Sequence, residues 1–436
     1  MNGIEYIYDC FRKSCGVTTD TRLCNAGMMF FALRGENFDG NRYAGEALVK
    51  GCSYVVVDNV SFVDESDSRV IHVEDSLKTL QQLARHHRRE LGTKIVGITG
   101  TNGKTTTKEL MAAVLKRKYN TLYTEGNLNN HIGVPLTLLR LTEEHEVAIV
   151  EMGANHPGDI KELVEIAEPD YGVITNVGMA HLQGFGSLEG VIRTKGELYD
   201  YLRMAGKQTI FLNEDNRHLK AIAGGLTTIC YGRPSLGKTL SVEGEVVACD
   251  PYLRFRWKEL EGGWHEVNTH IVGSYNVDNA LCAAAVGTYF GVPSDEVSVA
   301  LSEYIPKNNR SQLTTTERNT LIVDAYNANP TSMRAALDNF ACMEVSPKML
   351  ILGDMKELGE ASADAHQAVV ELIAQYDFDE VWLVGASFAA TRYGAARVFA
   401  DVEEVKEALR DTLVEKKYIL VKGSNSMKLA SLVPYL

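Results

Sequence analysis

The stretch Lys94-Ile95-Val96-Gly97-Ile98-Thr99-Gly100-Thr101-Asn102-Gly103-Lys104-Thr105 decides the fold. Its first six residues are a short apolar run ahead of a turn, the pattern of a buried strand. Gly100 and Gly103 turn the chain, and a helical stretch follows from Lys104 to Lys118. Strand, glycine-rich loop and helix in this order make a phosphate cradle. Backbone N–H groups at the turn point at phosphate oxygens, and the helix dipole favours negative charge there. Lys104 would reach the β/γ-phosphates and the Thr105 hydroxyl would ligate magnesium. The general form of the motif has a glycine where this chain has Ile98, so the match is to a shorter G-x-x-G-K-T.

Working outward, Val147–Val150 and Tyr171–Thr175 read as further strands with helices between them. Such alternation implies a parallel sheet covered on both faces. Upstream, Tyr54–Val57 reads as a buried strand and Ser76–Leu91 as a helix stopped by Gly92. Downstream of Pro306, the strands Leu321–Val323, Met349–Leu352, Val381–Val384 and Tyr418–Val421 alternate with helices. The expectation is an α/β protein of three domains: a small N-terminal domain (1–91), a central phosphate-loop domain (92–306) and a C-terminal Rossmann-like domain (307–436).

Composition narrows the function classes. The 436 residues carry a formal net charge of -13, which disfavours nucleic acid as a partner. The run Arg85-His86-His87-Arg88-Arg89 is basic, and it reads as the solvated end of a helix. The cysteines (Cys10, Cys15, Cys24, Cys52, Cys230, Cys249, Cys282, Cys342) show no C-x-x-C spacing and suit a reducing compartment. No signal-peptide pattern and no membrane-length apolar run stands in the chain, so a cytoplasmic location is expected.

Ligands of open α/β sheets bind beyond the carboxyl ends of the strands. Glu151 follows one strand there and could hold a metal or cap a helix. His181 could be a ligand, or merely hydrogen-bonded. Lys195 lies in the helical stretch Leu188–Leu202, where a lysine ordinarily faces water. Asp324 with Asn327 and Asn329, Gly353 with Asp354, and Lys422 with Ser424 end three further strands. They are turn chemistry or a binding face.

Taken together these positions resemble the Mur ligase family, over nearly the whole chain. The likeness is carried by Gly97–Thr107, Gly126–Pro135, Glu151–His156, Asn176–Ser187 and Asp324–Pro330. The resemblance implies ATP at Gly100, Thr101, Asn102, Gly103, Lys104, Thr105 and Thr106. Asn276 and Asn279 would lie on the adenine side, Asp324 at the ribose and Arg310 at the γ-phosphate. It implies one magnesium on Thr105 and Glu151, and a second on His181 and a carbamylated Lys195. Lys104, His181 and Lys195 are then the catalytic candidates. Thr21, Arg22 and Asp39 would hold a UDP end, with Asn41 standing where the family commonly has histidine. Asn129, Asn130, Asn327, Asn329, Lys422 and Ser424 would serve the remaining substrate contacts.

The member most resembled joins D-alanyl-D-alanine to UDP-N-acetylmuramoyl-tripeptide through an acyl phosphate. A monomer is expected. The alternatives are another step of the family, such as addition of the third amino acid, and an ATP-sensing regulatory protein. The first of these usually carries Asp-Asn-Pro-Arg, and this chain has Asp324-Ala325-Tyr326-Asn327-Ala328-Asn329-Pro330.

Overall fold

The computed structural model describes residues 3–64, 66–179, 182–237, 239–306 and 310–436. Three principal sheets organise them. The first is wholly parallel, in the order Val17–Thr18, Met29–Phe31, Tyr54–Val57, Val70–His72. The helix Ser76–Leu91 leaves it toward the second sheet. Asp75 caps its start by accepting the Lys78 N–H, and Gly92, at φ +65°, ends it.

This helix does not end in solvent as its basic run suggests. Its apolar residues Leu80, Leu83 and Ala84 share one core with Ile7, Phe11 and Phe31 before it and Leu138, Ile160 and Leu163 after it. His87 is buried, with Nε2 2.9 Å from the Leu141 carbonyl and Nδ1 3.3 Å from the Tyr8 hydroxyl. Arg88 is buried against Glu168 and Asp170. Only part of the run is solvated, because the helix is packed from both sides.

The second sheet has nine strands. Lys94–Thr99 lies between Val147–Glu151 and Tyr171–Ile174 and is parallel to both. Thr209–Asn213 and Thr227–Gly232 continue the parallel part. The sheet then becomes mixed, because Val242–Cys249, Tyr252–Glu259 and His265–Val272 form an antiparallel meander. The cause is legible in Leu253, Phe255 and Trp257, which are buried and alternate with the charged Arg254, Arg256 and Lys258. A strand with one wet face favours antiparallel neighbours.

The third sheet runs Gln312–Thr315, Thr320–Asp324, Tyr418–Lys422, Lys348–Gly353, Glu380–Val384, Arg397–Phe399. All its pairs are parallel except the first. Asp324 and Lys422 are register partners at adjoining strand ends.

Candidate active site

Thr99, Glu151 and Ile174 end three adjacent parallel strands, so the loops that follow them share one edge of the sheet. A cavity of about 740 Å³ opens there, between the phosphate loop and the third sheet. The loop itself requires its glycines. Gly100 has φ +145°, and a Cβ there would lie 2.0 Å from Thr175 Oγ1. Gly103 has φ +77°, and a Cβ there would lie 2.5 Å from Asn279 Oδ1. Any side chain would displace the backbone from phosphate-binding geometry.

Half of the loop is already committed to protein partners. The Thr101 N–H donates to the Asn176 carbonyl at 2.9 Å, and the Asn102 N–H donates to Asn176 Oδ1 at 2.9 Å. Asn176 Nδ2 and Thr175 Oγ1 both donate to the Asn102 carbonyl. The open N–H groups are therefore those at the helix start, around Lys104–Thr106, where the dipole is strongest. Asn176 stood inside a quoted motif without a role. Only the pairing of its strand beside the loop strand makes it a clamp.

Lys104 Nζ donates to the carbonyls of Gly100 at 2.7 Å and Thr101 at 3.2 Å. Burial pushes its ammonium down to about 8, against the pull of Glu151 and with added repulsion from Arg310. An arriving phosphate would supply the missing counter-charge.

Glu151 is buried at its strand end. Thr105 Oγ1 lies 3.0 Å and Asn129 Nδ2 2.8 Å from its carboxylate oxygens. A third partner escaped the sequence reading. Lys108, one turn beyond Lys104, is fully buried with Nζ 3.6 Å from Glu151 Oε2 and 2.6 Å from the Thr124 carbonyl. A helical lysine reads as surface until the strand beneath it is known.

The other predicted positions divide. Asn276 and Asn279 line the cavity and also buttress the loop: Asn279 Nδ2 donates to Asn276 Oδ1, and Thr107 donates to Asn279 Oδ1. Arg310, Asp324, Asn327 and Lys422 line the opposite wall, with Lys422 paired to Asp324. Asn130 lines the cavity too, while its Oδ1 accepts the Ile132 and Gly133 N–H groups. Asn329 and Ser424 are buried beside that wall. Asn329 caps the helix Pro330–Cys342 and bonds to Asn102 across the cleft, and Ser424 Oγ accepts the Lys356 N–H.

Comparison with known proteins decides the family. Residues 14–88 match the model described as Mur ligase family, catalytic domain; 98–287 match Mur ligase middle domain; 309–425 match Mur ligase, glutamate ligase domain. The chain is 35% identical to the UDP-N-acetylmuramoyl-tripeptide–D-alanyl-D-alanine ligase of Bacillus subtilis (strain 168), covering 96% of this chain and 92% of that one. The protein of that name from Treponema pallidum (strain Nichols) is 34% identical over 97% and 93%. A crystal structure of MurF from Acinetobacter baumannii superposes with a TM-score of 0.87 at 27% identity, over 99% and 97%. The chain belongs to the Mur ligase family.

In this Mur ligase the middle-domain match contains the phosphate loop, Glu151, Lys195, Asn276 and Asn279. Lys195 is not on a wet face: it is 2% exposed on the helix Leu188–Met204. The Phe185 ring lies 5.4 Å from its Nζ, and no hydrogen bond or ion pair holds that nitrogen among the described residues. Burial pushes its ammonium well below the ordinary lysine range, and Lys104 adds repulsion. His181 lies outside the described residues.

Thr21, Arg22 and Asp39 stand away from this cavity, on the first sheet's unit. Arg22 pairs with Asp20 on the surface. Asp39 accepts from Asn41, which is fully buried and also donates to Asp58. Asn41 thus belongs to a local network that includes the Arg34–Asp58 pair. No described helix of this Mur ligase is long and apolar enough to cross a membrane.

Proposed function

We propose that this chain joins D-alanyl-D-alanine to UDP-N-acetylmuramoyl-tripeptide at the expense of ATP, in cytoplasmic assembly of the peptidoglycan precursor. The observation that carries this reading is 35% identity, over 96% of the chain, to the Bacillus subtilis ligase of that name. The substrate's terminal carboxylate attacks the γ-phosphorus of ATP, the bond to the bridging oxygen breaks, and ADP leaves. The acyl phosphate so formed is attacked by the dipeptide amine. Its C–O bond breaks, phosphate departs, the nitrogen loses a proton and an amide remains.

The protein's share is placement and charge. The N–H groups at the start of the Lys104 helix cradle phosphate, and Lys104 swings from the loop carbonyls to the transferring group. Asn276 and Asn279 face the adenine side, Asp324 the ribose and Arg310 the γ-phosphoryl group. Asn327, Asn329, Lys422 and Ser424 face the incoming dipeptide or the phosphates. Asn129 and Asn130 border the tripeptide, and Thr21, Arg22 and Asp39 hold the UDP end.

The donor chemistry fits magnesium. A threonine hydroxyl and a carboxylate 3.0 Å apart are hard oxygen ligands, so Thr105 and Glu151 would hold one ion. His181 and a carbamylated Lys195 would serve a second. When bound, the ions neutralise charge on the phosphoryl group. Lys195 suits the carbamate for a physical reason. A buried amine without a partner favours its neutral form. The neutral nitrogen adds CO2 and one proton leaves, so the buried amine would become an anionic oxygen ligand.

The purified protein, given ATP, magnesium, D-alanyl-D-alanine and UDP-N-acetylmuramoyl-tripeptide, should release phosphate only when all four are present. Mass spectrometry should show the pentapeptide. Phosphate release indifferent to the dipeptide, or ATP binding without turnover, would sink the assignment and favour a nucleotide sensor.

A further inference from the structure

Arg310 is held in an unusual way. Its Nε is shielded from solvent yet has no hydrogen-bond partner among the described residues. Its guanidinium carbon lies 3.8 Å from the centroid of the Tyr326 ring, a close stacking contact. That ring is itself well placed. The buried Lys422 donates to the Asp324 carboxylate and, at 3.3 Å, to the Asn327 carbonyl. Tyr326 sits between those two pinned residues. The ring face of Tyr326 is the part engaged with the guanidinium. Arg310 and Tyr326 line the same cavity as Lys104, Thr105 and Thr106, so the stacked guanidinium shares its space with the phosphate loop.

A stacked guanidinium keeps its edge N–H groups free while losing little freedom on binding. We propose that Tyr326 is a positioning residue that clamps the Arg310 plane, so that its free edge meets the phosphoryl group in transfer. This rests on the ligase reading above, in which Arg310 faces the γ-phosphate. Tyr326 acts only through Arg310 and touches no reacting atom.

The test is a double-mutant cycle in the full chain, with steady-state kinetics, ADP affinity by calorimetry and thermal melting. Tyr326→Leu should lower kcat about tenfold, the scale of one desolvated cation–π contact. ADP affinity, which does not report the γ-phosphoryl contact, should stay within about threefold. Tyr326→Phe should restore turnover to within about twofold, because it keeps the ring face. In an Arg310→Ala background, Tyr326→Leu should cost nothing further. Additive losses, or a phenylalanine variant as slow as the leucine variant, would overturn the proposal. Should the leucine variant melt early, Tyr326→Met, flexible and without a π-face, carries the same expectation. Wild-type protein that fails to turn over defeats the ligase reading, whereas an active wild type with additive losses defeats only the clamp.

Discussion

Lys195 and Lys108 are both buried lysines, and they illustrate how residue-scale chemistry separates. Lys195 has a ring for company and no ion pair among the described residues, whereas Lys108 lies against a carboxylate and a carbonyl. The first is therefore expected to be modified and the second to be structural. Lys195→Ala should lose most turnover and recover part of it with short carboxylic acids, which can replace the carbamate. Labelled bicarbonate should give a carbamate signal by NMR in the wild type and none in the variant; a signal in both would exclude Lys195 as the site. Lys108→Met should cost about 3 kcal/mol in denaturant unfolding, because it leaves a buried carboxylate without its ion-pair partner. Adding Glu151→Gln should return much of that loss, and an unchanged midpoint for Lys108→Met alone would contradict the pairing. Glu151 was legible in sequence because it follows an apolar run at a strand end. Lys108 and Asn176 were not, because their partners come from strands whose order in the sheet no local pattern states.

Among the elements, the helix Ser76–Leu91 was legible from its cap, its period and Gly92, but its environment was not. A basic run at a helix end is ordinarily wet, and here the fold closes a second core over it. The consequence is a pH dependence that resides in His87. Burial pushes its imidazole below the ordinary range. The unfolded chain binds this proton near about pH 6.5, while the folded chain resists it. Stability from this group is therefore full above about pH 6.5 and falls as the pH drops below it, until the folded value is reached. His87→Gln removes the titration while keeping a side chain able to hydrogen-bond. Thermal melts between about pH 7 and pH 5 should show a shallower decline for the variant than for the wild type. Parallel declines would place the acid sensitivity elsewhere, His366 being a second buried histidine pushed downward among the described residues. The antiparallel meander makes the complementary point. Its alternation was present in Leu253–Lys258, yet βα alternation around the phosphate loop dominated the expectation of a parallel sheet.

At the scale of the whole molecule, the phosphate loop and the third sheet's unit touch directly. Asn329 Nδ2 donates to Asn102 Oδ1 at 2.7 Å across 227 residues of chain. The Gln183 N–H meets the Glu357 carbonyl nearby, at 3.4 Å. No sequence pattern could pair residues so distant, although Asn102, Gln183 and Asn329 each lay in a stretch that carried the family resemblance. The contact bears on chemistry because an acyl phosphate hydrolyses if water reaches it, and closure of one unit on another excludes that water. Asn329 both caps the helix Pro330–Cys342 and reaches Asn102, and the two roles can be separated. Asn329→Ser keeps an N-cap of nearly equal quality but is too short to cross the cleft, so global stability should change by less than about 0.5 kcal/mol. With an ATP analogue and UDP-N-acetylmuramoyl-tripeptide, solution scattering should show the wild type compacting and the variant remaining more extended. The variant should also release phosphate in excess of pentapeptide, because part of its acyl phosphate is lost to water. If it compacts like the wild type and keeps phosphate and product in equal amounts, the amide pair is an incidental contact and closure depends on other surfaces of the cleft.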